Sequence, residues 1–565
     1  MRRNMEPPTL NTATERQSPS ESETSGWLPR PGTEILVAGS VGAGLGVLFL
    51  YPAFWMCGWV ILAPLFLLLR DRDAPGNFLI GWIAGLIWFG VSCHWLRHVT
   101  WVGLGSLALA EATWLGLWMM LAGLFSRRWR FYVLPMLWVC MEFLRSKGPL
   151  GFSWNLMGHL SGPLDFLAQG WGVYGLTFAL VAGNSLLAWL TLVLLRRAPL
   201  EFIPEGAGFF LTLPVIWLGV ALWEVSPNPV PERHLLLGLV QGNFPQSLKW
   251  SVPIKEAVER YSRLTGDLVQ EKKPDLVVWP EVALPTILSG DPGLLEYLRG
   301  AAEDWNAALL FGVLDEDQRG DQPHLLYNSA VFLDPLDQES EVAANTPAEA
   351  SYFLRGECST YTRSLLLPSV HAAPQSAPIR VYDKARLLPF GEYVPLGNLF
   401  TFIQRFVENR GGGAFSGGAL GRVLETRFGE IGPLICFEST HPGLARRAVL
   451  NGAHLLVNLT NDAWFLDTAA APQHALQCHF RAIETGRAVA RAANTGLSGV
   501  YLPDGNRIAA LPPWKEAADA VEVPIYDHLT FQTRIGDAFA WLCLICLGFS
   551  LYLARRRTEG VELRG

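Results

Sequence analysis

The chain has 565 residues, of which 50% are hydrophobic and only 17% charged, against about 25% charged in ordinary soluble proteins; its length exceeds what one core usually holds. These figures exclude a disordered polymer, a collagen-like chain, a coiled coil and a small disulfide scaffold. With 44 Lys and Arg against 51 Asp and Glu, a net charge of −7, the chain lacks the basic surface that a dedicated nucleic-acid binder needs.

Residues 1–33 are polar and read as a disordered cytoplasmic tail. Apolar stretches follow at 34–51, 54–69, 77–95, 101–125, 131–144, 166–195 and 209–226, and an isolated one lies at 535–554. A spanning helix needs about 20 residues, so the pattern predicts about eight spans: about seven helices over 34–231 and a final one within 531–565. The first stretch has no small-residue cleavage motif and reads as a retained helix. Abundant Trp (22) and Gly-spaced apolar runs fit membrane helices better than one very large soluble core.

Arginine placement predicts the topology. Alternate connections carry Arg70 and Arg72, then Arg127, Arg128 and Arg130, then Arg196 and Arg197, and finally Arg555, Arg556 and Arg557. The other connections carry only Arg97, Arg145 and Lys147. By the positive-inside rule both termini are cytoplasmic and residues 232–530 lie outside, which in a bacterium is the periplasm. The connection 145–165, RSKGPLGFSWNLMGHLSGPLD, falls on the same outer side; it reads equally as a bare loop or as a floor beneath the outer domain.

The outer block holds 25 Lys and Arg against 35 Asp and Glu, so the chain's acidity sits there. Strand-like runs occur at 235–244, 275–285, 308–316, 327–334, 431–438 and 454–460, and helix-like segments at 254–271 and 473–490. This alternation predicts a layered α/β domain. Residues 335–378 interrupt it with Ser, Pro, Ala and acid and read as an insertion. The segment 398–419 pairs Phe400, Phe402 and Phe406 with Gly411–Gly413, and reads either as a lipid-touching lid or as a plain loop.

Three segments of this block carry chemistry. In VVWPEVALP, Glu281 follows a strand and sits between Pro280 and Pro285, a backbone-held position that suits a general base. In VYDKARLLPFGEYVP, Lys384 and Glu392 flank an apolar turn, and in GPLICFEST, Cys436 ends a strand two residues before Glu438. A thiol becomes a nucleophile when a base takes its proton or a cation favours the thiolate. Spacing alone leaves these residues open to a packing role as well. Cys57, Cys93, Cys140, Cys358 and Cys478 read as packing residues, and Cys543 and Cys546 form a C-x-x-C inside an apolar helix, where a redox role is not expected. His474 and His479 fit no metal spacing and read as ordinary helix residues. Asn458-Leu-Thr460 matches a glycosylation sequon, which carries little weight in a bacterial protein.

The ordered strings WPE, YDKARLLPFGEYVP, ICFE and NLTNDAWF resemble the Glu-Lys-Cys nitrilase, or carbon–nitrogen hydrolase, superfamily. With LVQGNFPQSLKW and FRAIETGRAVARAANTGLSGV, the chain is similar to its membrane branch, the apolipoprotein N-acyltransferase family. The resemblance covers all but residues 1–33 and 335–378. It implies a helical membrane bundle of about eight spans joined to an α/β nitrilase-like αββα sandwich, with Glu281 as general base, Lys384 as transition-state stabiliser and Cys436 as nucleophile. It also implies supporting roles for Trp250, Glu392 and Glu438, and for Phe437, which stands where many members have Tyr. Leu466 follows NDAWF where Gly is usual. The implied reaction moves an acyl chain from a membrane phospholipid, by analogy phosphatidylethanolamine, through a Cys thioester to the α-amino group of diacylglyceryl-cysteine apolipoproteins. This is the last step of bacterial lipoprotein maturation, carried out at the inner membrane by a monomer with no cofactor, metal or nucleic acid. Two rival readings are a membrane-anchored amidase or nitrilase, which needs only one or two helices, and a transporter or lipid-binding scaffold with a dead enzyme domain. The intact trio argues against the second, as does the scarcity of charge within the predicted spans, where Glu111 and Glu142 are the exceptions.

Overall fold

The computed structural model describes residues 31–69, 74–125, 127–148, 150–195, 219, 230–246, 252–317, 325–336, 379–394 and 415–562. Trp250, Arg70, Arg72, Arg196, Arg197, Cys358 and nearly all of the 209–226 stretch lie outside the described residues, as do most of the 335–378 insertion and of the 398–419 segment.

The N-terminal part is helical: α1 (Pro31–Leu50), α2 (Ala63–Leu67), α3 (Ala74–Ser92), α4 (Trp101–Gly123), α5 (Arg127–Arg145) and α6 (Ala168–Leu194). Among the described residues four helices are long and apolar enough to cross a membrane, at Gly32–Leu50, Ala74–Ser92, Trp101–Gly123 and Gly162–Leu194. These four do not by themselves confirm the eight predicted spans, one of which, 209–226, lies almost wholly outside the described residues. The 54–69 stretch is a correction: it forms a 3-10 helix, Pro52–Trp59, followed by the five-residue α2. Pro52 and Pro64 lack the N–H that a continuous helix requires, and Pro52–Leu67 falls short of a bilayer's thickness.

Glycine lets these helices approach closely. A Cβ on Gly81 would lie 2.5 Å from the Leu115 carbonyl oxygen, and one on Gly85 would lie 2.8 Å from Ala112 Cα, so α3 and α4 meet backbone to backbone. Trp88 stacks on Phe49 and Trp138 at ring distances of 5.8 and 6.2 Å. The two acids flagged within predicted spans hold the 145–165 connection in place. Arg145, paired with Glu111 at 3.1 Å, donates to the carbonyls of Phe152, Trp154 and Asn155. Glu142 accepts from Trp138 Nε1, the Met157 N–H and Thr177 Oγ1. Each carboxylate is thereby paired where an unpaired one would be costly.

The second part starts with β1 (Arg233–Gln241), then α7 (Ile254–Lys272), β2 (Leu276–Val278), β3 (Leu284–Ile287), α8 (Pro292–Trp305), β4 (Ala308–Asp317), β5 (Leu325–Leu333) and β6 (Arg380–Asp383). It continues with β7 (Ile431–Ile435), α9 (Pro442–Leu450), β8 (Leu455–Thr460), α10 (Ala470–Thr485), β9 (Ala488–Ala493), β10 (Gly499–Tyr501), β11 (Arg507–Ile508) and β12 (Ala517–Ile525). A short α11 (Phe531–Ile535) then leads into α12 (Ala538–Glu562). Local chemistry sets several boundaries. Asp291 Oδ1 accepts from the Leu294 N–H to start α8, behind Pro292. Gly486, at φ 65°, ends α10. The helix predicted to 490 therefore stops at Thr485, and its last residues belong to β9. The run predicted as one strand at 275–285 is split into β2 and β3 around Pro280 and Glu281.

Among the described residues one sheet runs in the order β12-β1-β2-β4-β5-β6, with β3 also on β4, and the other runs β11-β10-β9-β8-β7. The β1-β2-β4 and β7-β8-β9 pairings are parallel, whereas β12, β5, β6, β10 and β11 join antiparallel. Side-chain alternation divides each central strand between two cores. Leu235, Leu237, Leu239, Leu276 and Val278 face Leu455, Val457, Leu459, Ala488 and Ala490 between the sheets. Val240, Val277, Leu309 and Phe311 pack outward on Ala257, Tyr261, Leu268 and Leu298 of α7 and α8. Leu434, Leu456 and Val489 pack on α9 and α10. The result is an αββα sandwich. Its helix α10 is buried on both faces, because Ala470, Phe480 and Ile483 join the core of the membrane body.

Candidate active site

The parallel strands of both sheets end on one side, the edge where α/β folds place ligands. Cys436 follows β7 with φ 52°, and Val282, next to Glu281, has φ 44°. Such left-handed conformations are costly for side chains with a Cβ, above all a branched one, and persist only where the surroundings impose them. Behind Glu281 stands Gly312, whose N–H donates to the Pro280 carbonyl (3.2 Å) and whose carbonyl accepts from the Ala283 N–H (2.8 Å).

Lys384 is buried and donates to Glu392 Oε1 at 2.7 Å and Glu281 Oε1 at 3.4 Å. Asn328 Nδ2 donates to Glu281 Oε1 at 2.8 Å and to Glu392 Oε1 at 3.1 Å. Burial works against the ammonium, but Glu392 and then Glu281 outweigh it and hold the Lys384 pKa above its ordinary value. The Cys436 thiol, partly accessible, is pushed well above the usual thiol range by burial and then by Glu281, with Lys384 pulling the other way. The thiol thus rests protonated, within the electrostatic reach of one cation and two carboxylates. A thiol in that state becomes a nucleophile only once a base has taken its proton.

Glu438 forms the floor of the turn that carries Cys436. Its Oε1 accepts from the Ala385 and Arg386 N–H groups at 2.7 and 2.8 Å, its Oε2 accepts from the Ile435 N–H at 2.7 Å, and Tyr382 Oη donates to both oxygens. One carboxylate thus ties the segment after Lys384 to the segment before Cys436. Burial pushes its pKa up to about 7 against the pull of those N–H groups. Glu392 closes the PFGEYVP turn by accepting from the Leu388 N–H at 2.8 Å. Phe437 points away from this polar floor, stacking on Phe152 of the membrane body at 6.5 Å and meeting the His441 ring edge-on at 4.8 Å, so its position demands packing rather than a hydroxyl.

Five of the seven expected site residues, Glu281, Lys384, Glu392, Cys436 and Glu438, therefore surround one locus; Phe437 lines its membrane side, and Trp250 lies outside the described residues. Asn328 was not anticipated, although an Asn in the apolar strand YNSAVFL was a signal. His474 corrects an expectation, for it is not an ordinary helix residue. Its Nε2 lies 3.0 Å from the Cys436 carbonyl oxygen and its Nδ1 lies 3.0 Å from Asp462 Oδ1. His479 meets Asp165 at 2.6 Å, bridging the sandwich to the helical body. Asn458 and Thr460 of the sequon are buried within β8, out of reach of glycosylation in the folded chain.

The carbon-nitrogen hydrolase family model matches residues 237–525, and that of the apolipoprotein N-acyltransferase N-terminal domain matches residues 41–186. An apolipoprotein N-acyltransferase of Geobacter metallireducens is 29% identical over 93% of this chain and 96% of its own length. One from Photobacterium profundum gives the same three figures, 29%, 93% and 96%. The structure of an amidase from a Nesterenkonia species aligns with 56% of this chain and 99% of its own, at 17% identity and a TM-score of 0.35.

Proposed function

The chain belongs to the carbon–nitrogen hydrolase family, and from that footing we propose that it is an apolipoprotein N-acyltransferase. It takes an acyl chain from a phospholipid onto Cys436 and passes it to the α-amino group of a diacylglyceryl-cysteine apolipoprotein. The observation that carries this reading is the seating of the nucleophile turn on an apolar helical body, Phe437 against Phe152. An amidase for a small soluble substrate has no use for that contact.

In the first half-reaction Glu281 takes the thiol proton and the sulfur attacks the ester carbonyl. The charge that develops on the carbonyl oxygen is met by Lys384 and the Phe437 N–H; preorganised donors of this kind are each worth about 3 kcal/mol. The C–O bond breaks, Glu281 returns the proton to the leaving oxygen, and lysophospholipid departs from a thioester. In the second half-reaction the amine attacks that thioester and Glu281 accepts a proton from the nitrogen. The C–S bond then breaks, Glu281 passes that proton to the leaving sulfur, and the amide is released with the thiol restored. A thioester is reactive enough to acylate an amine without further activation.

Phosphatidylethanolamine is the donor we propose, the enzyme acts as a monomer in the bacterial inner membrane, and residues 232–530 face the periplasm. The alternating Arg clusters support that orientation. The test is the intact mass of purified protein incubated with phospholipid alone. An acyl adduct is expected on the full chain and none on Cys436→Ala. Failure of the unaltered chain to acquire an adduct in any phospholipid would overturn the reading.

A further inference from the structure

We propose that His474 is a positioning residue that aims the oxyanion-binding N–H of Phe437 through the peptide unit joining Cys436 to Phe437, an inference that rests on the acyl-transfer reading above. The Cys436 carbonyl oxygen gathers three side-chain groups: His474 Nε2 at 3.0 Å, Ser439 Oγ at 3.1 Å and Asn458 Nδ2 at 3.4 Å. A peptide unit is planar and trans, so its C=O and N–H point in opposite directions. Pinning the oxygen on the sandwich side therefore fixes where the following N–H points. The constraint matters because Cys436 sits at φ 52°, where the turn has no intrinsic preference to stay.

The pinning groups are themselves held by one buried chain. Asp462 Oδ1 meets His474 Nδ1 at 3.0 Å, and Asp462 Oδ2 accepts from Arg491 Nη2 at 2.5 Å. Arg491 Nη1 donates to Asn458 Oδ1 at 2.5 Å, so the same guanidinium orients a second group on the carbonyl. From the membrane side the Trp154 ring covers His474 at 5.5 Å. His474, Asp462 and Arg491 are all nearly inaccessible. An apolar trio would fill this space without desolvating three polar side chains, and the polar chain ends on the carbonyl of Cys436.

The test compares two reactions of the same thiol in the full chain, reconstituted in nanodiscs of phosphatidylethanolamine and phosphatidylglycerol. Acylation by the lipid passes through an oxyanion, whereas alkylation by iodoacetamide is a direct displacement that forms none. His474→Asn keeps a donor for Asp462 but none for the carbonyl. It should slow acylation about 100-fold, the scale seen when an oxyanion donor is lost, with alkylation changed by less than about twofold. His474→Gln, whose amide reaches the Nε2 position, should recover about tenfold of that loss, and Ser439→Ala should slow acylation about three- to tenfold. Equal losses in both reactions, undiminished acylation in His474→Asn, or no recovery in His474→Gln would overturn the inference. Should the His474 variants fail to fold, Ser439→Ala decides: acylation at the unaltered rate overturns it. Absence of an adduct on the unaltered chain would instead sink the acyl-transfer reading, which keeps the two failures distinct.

Discussion

Glu438 shows how much one side chain can organise. Replacement by Gln removes an acceptor and turns an NH2 group toward backbone N–H groups that cannot rotate away. Each donor left unsatisfied costs about 1–3 kcal/mol. Glu438→Gln is expected to lower the thermal midpoint by several degrees and to abolish adduct formation; a midpoint within a degree of the unaltered chain would contradict this. The thiol makes a pH prediction. Because the Cys436 pKa lies above the ordinary 9.0, the thiolate fraction, and with it iodoacetamide alkylation at rest, should still be climbing at pH 9. A plateau reached below pH 8 would mean a preformed thiolate. Leu466 holds φ 54° and ψ −163°, a region costly to any side chain with a Cβ, at the position where the sequence departs from a usual Gly. Leu466→Gly should therefore stabilise the protein by about 1 kcal/mol, read as a higher thermal midpoint. Glu281, Lys384, Glu392 and Cys436 were legible as residues because each stands in a short motif. Asn328 and His474 were not, because their partners lie 47 and 38 positions away and only folding brings them together.

At the scale of elements, the site depends on backbone approaches that no motif announces. A Cβ on Gly312 of β4 would lie 2.6 Å from both the Pro280 carbonyl oxygen and the Val282 nitrogen, and 2.7 Å from Glu281 Cα. All three are backbone atoms, so the segment carrying Glu281 must move. Gly312→Ala is expected to cut the rate of adduct formation about 100-fold, the loss expected from misplacement by about 1 Å; an unchanged rate would show that the segment tolerates the shift. The turn after β8 carries an acid-sensitive brace. Burial raises the Asp462 pKa, but Arg491 and His474 outweigh it and hold it below its ordinary 3.8. With a depressed folded-state value, its contribution is full above pH 3.8 and is lost as pH falls through the lower, folded-state pKa. Asp462→Asn should therefore lower the thermal midpoint at pH 6 to 7, with the difference shrinking as the pH falls below 3.8, which unfolding scans at a series of pH values would read. The strands and helices β1, β4, β5, β8 and α7 were readable from alternation or amphipathic spacing. β9 was absorbed into the helix before it because nothing but Gly486 separates two runs of similar composition.

Over the whole molecule, α10 joins the two parts. Gln473 Oε1 accepts from Trp95 Nε1 and Trp154 Nε1 at 3.0 and 2.8 Å, while its Nε2 donates to the Phe49 and Ser92 carbonyls, both at 3.1 Å. One sandwich residue thus satisfies four polar groups at the end of the helical body that meets the sandwich. Gln473→Leu should weaken that seating by about 3 kcal/mol. Deuterium uptake in 470–485 should rise and acylation by lipid should fall, while iodoacetamide still reaches Cys436. Unchanged uptake there would place the seating elsewhere. The sequence by itself determined that an apolar helical region precedes and follows a layered α/β enzyme domain, and it marked the Glu-Lys-Cys trio, since hydropathy runs and short motifs are local properties. Only the tertiary structure decided that Glu111 and Glu142 brace the 145–165 connection, that this connection forms the floor under Phe437 and His474, and that a buried Arg491–Asp462–His474 chain ends on the Cys436 carbonyl. Those arrangements arise from burial in a low-dielectric interior, where every polar group must find a partner and the partner it finds is set by the packing of distant segments rather than by neighbours in the chain.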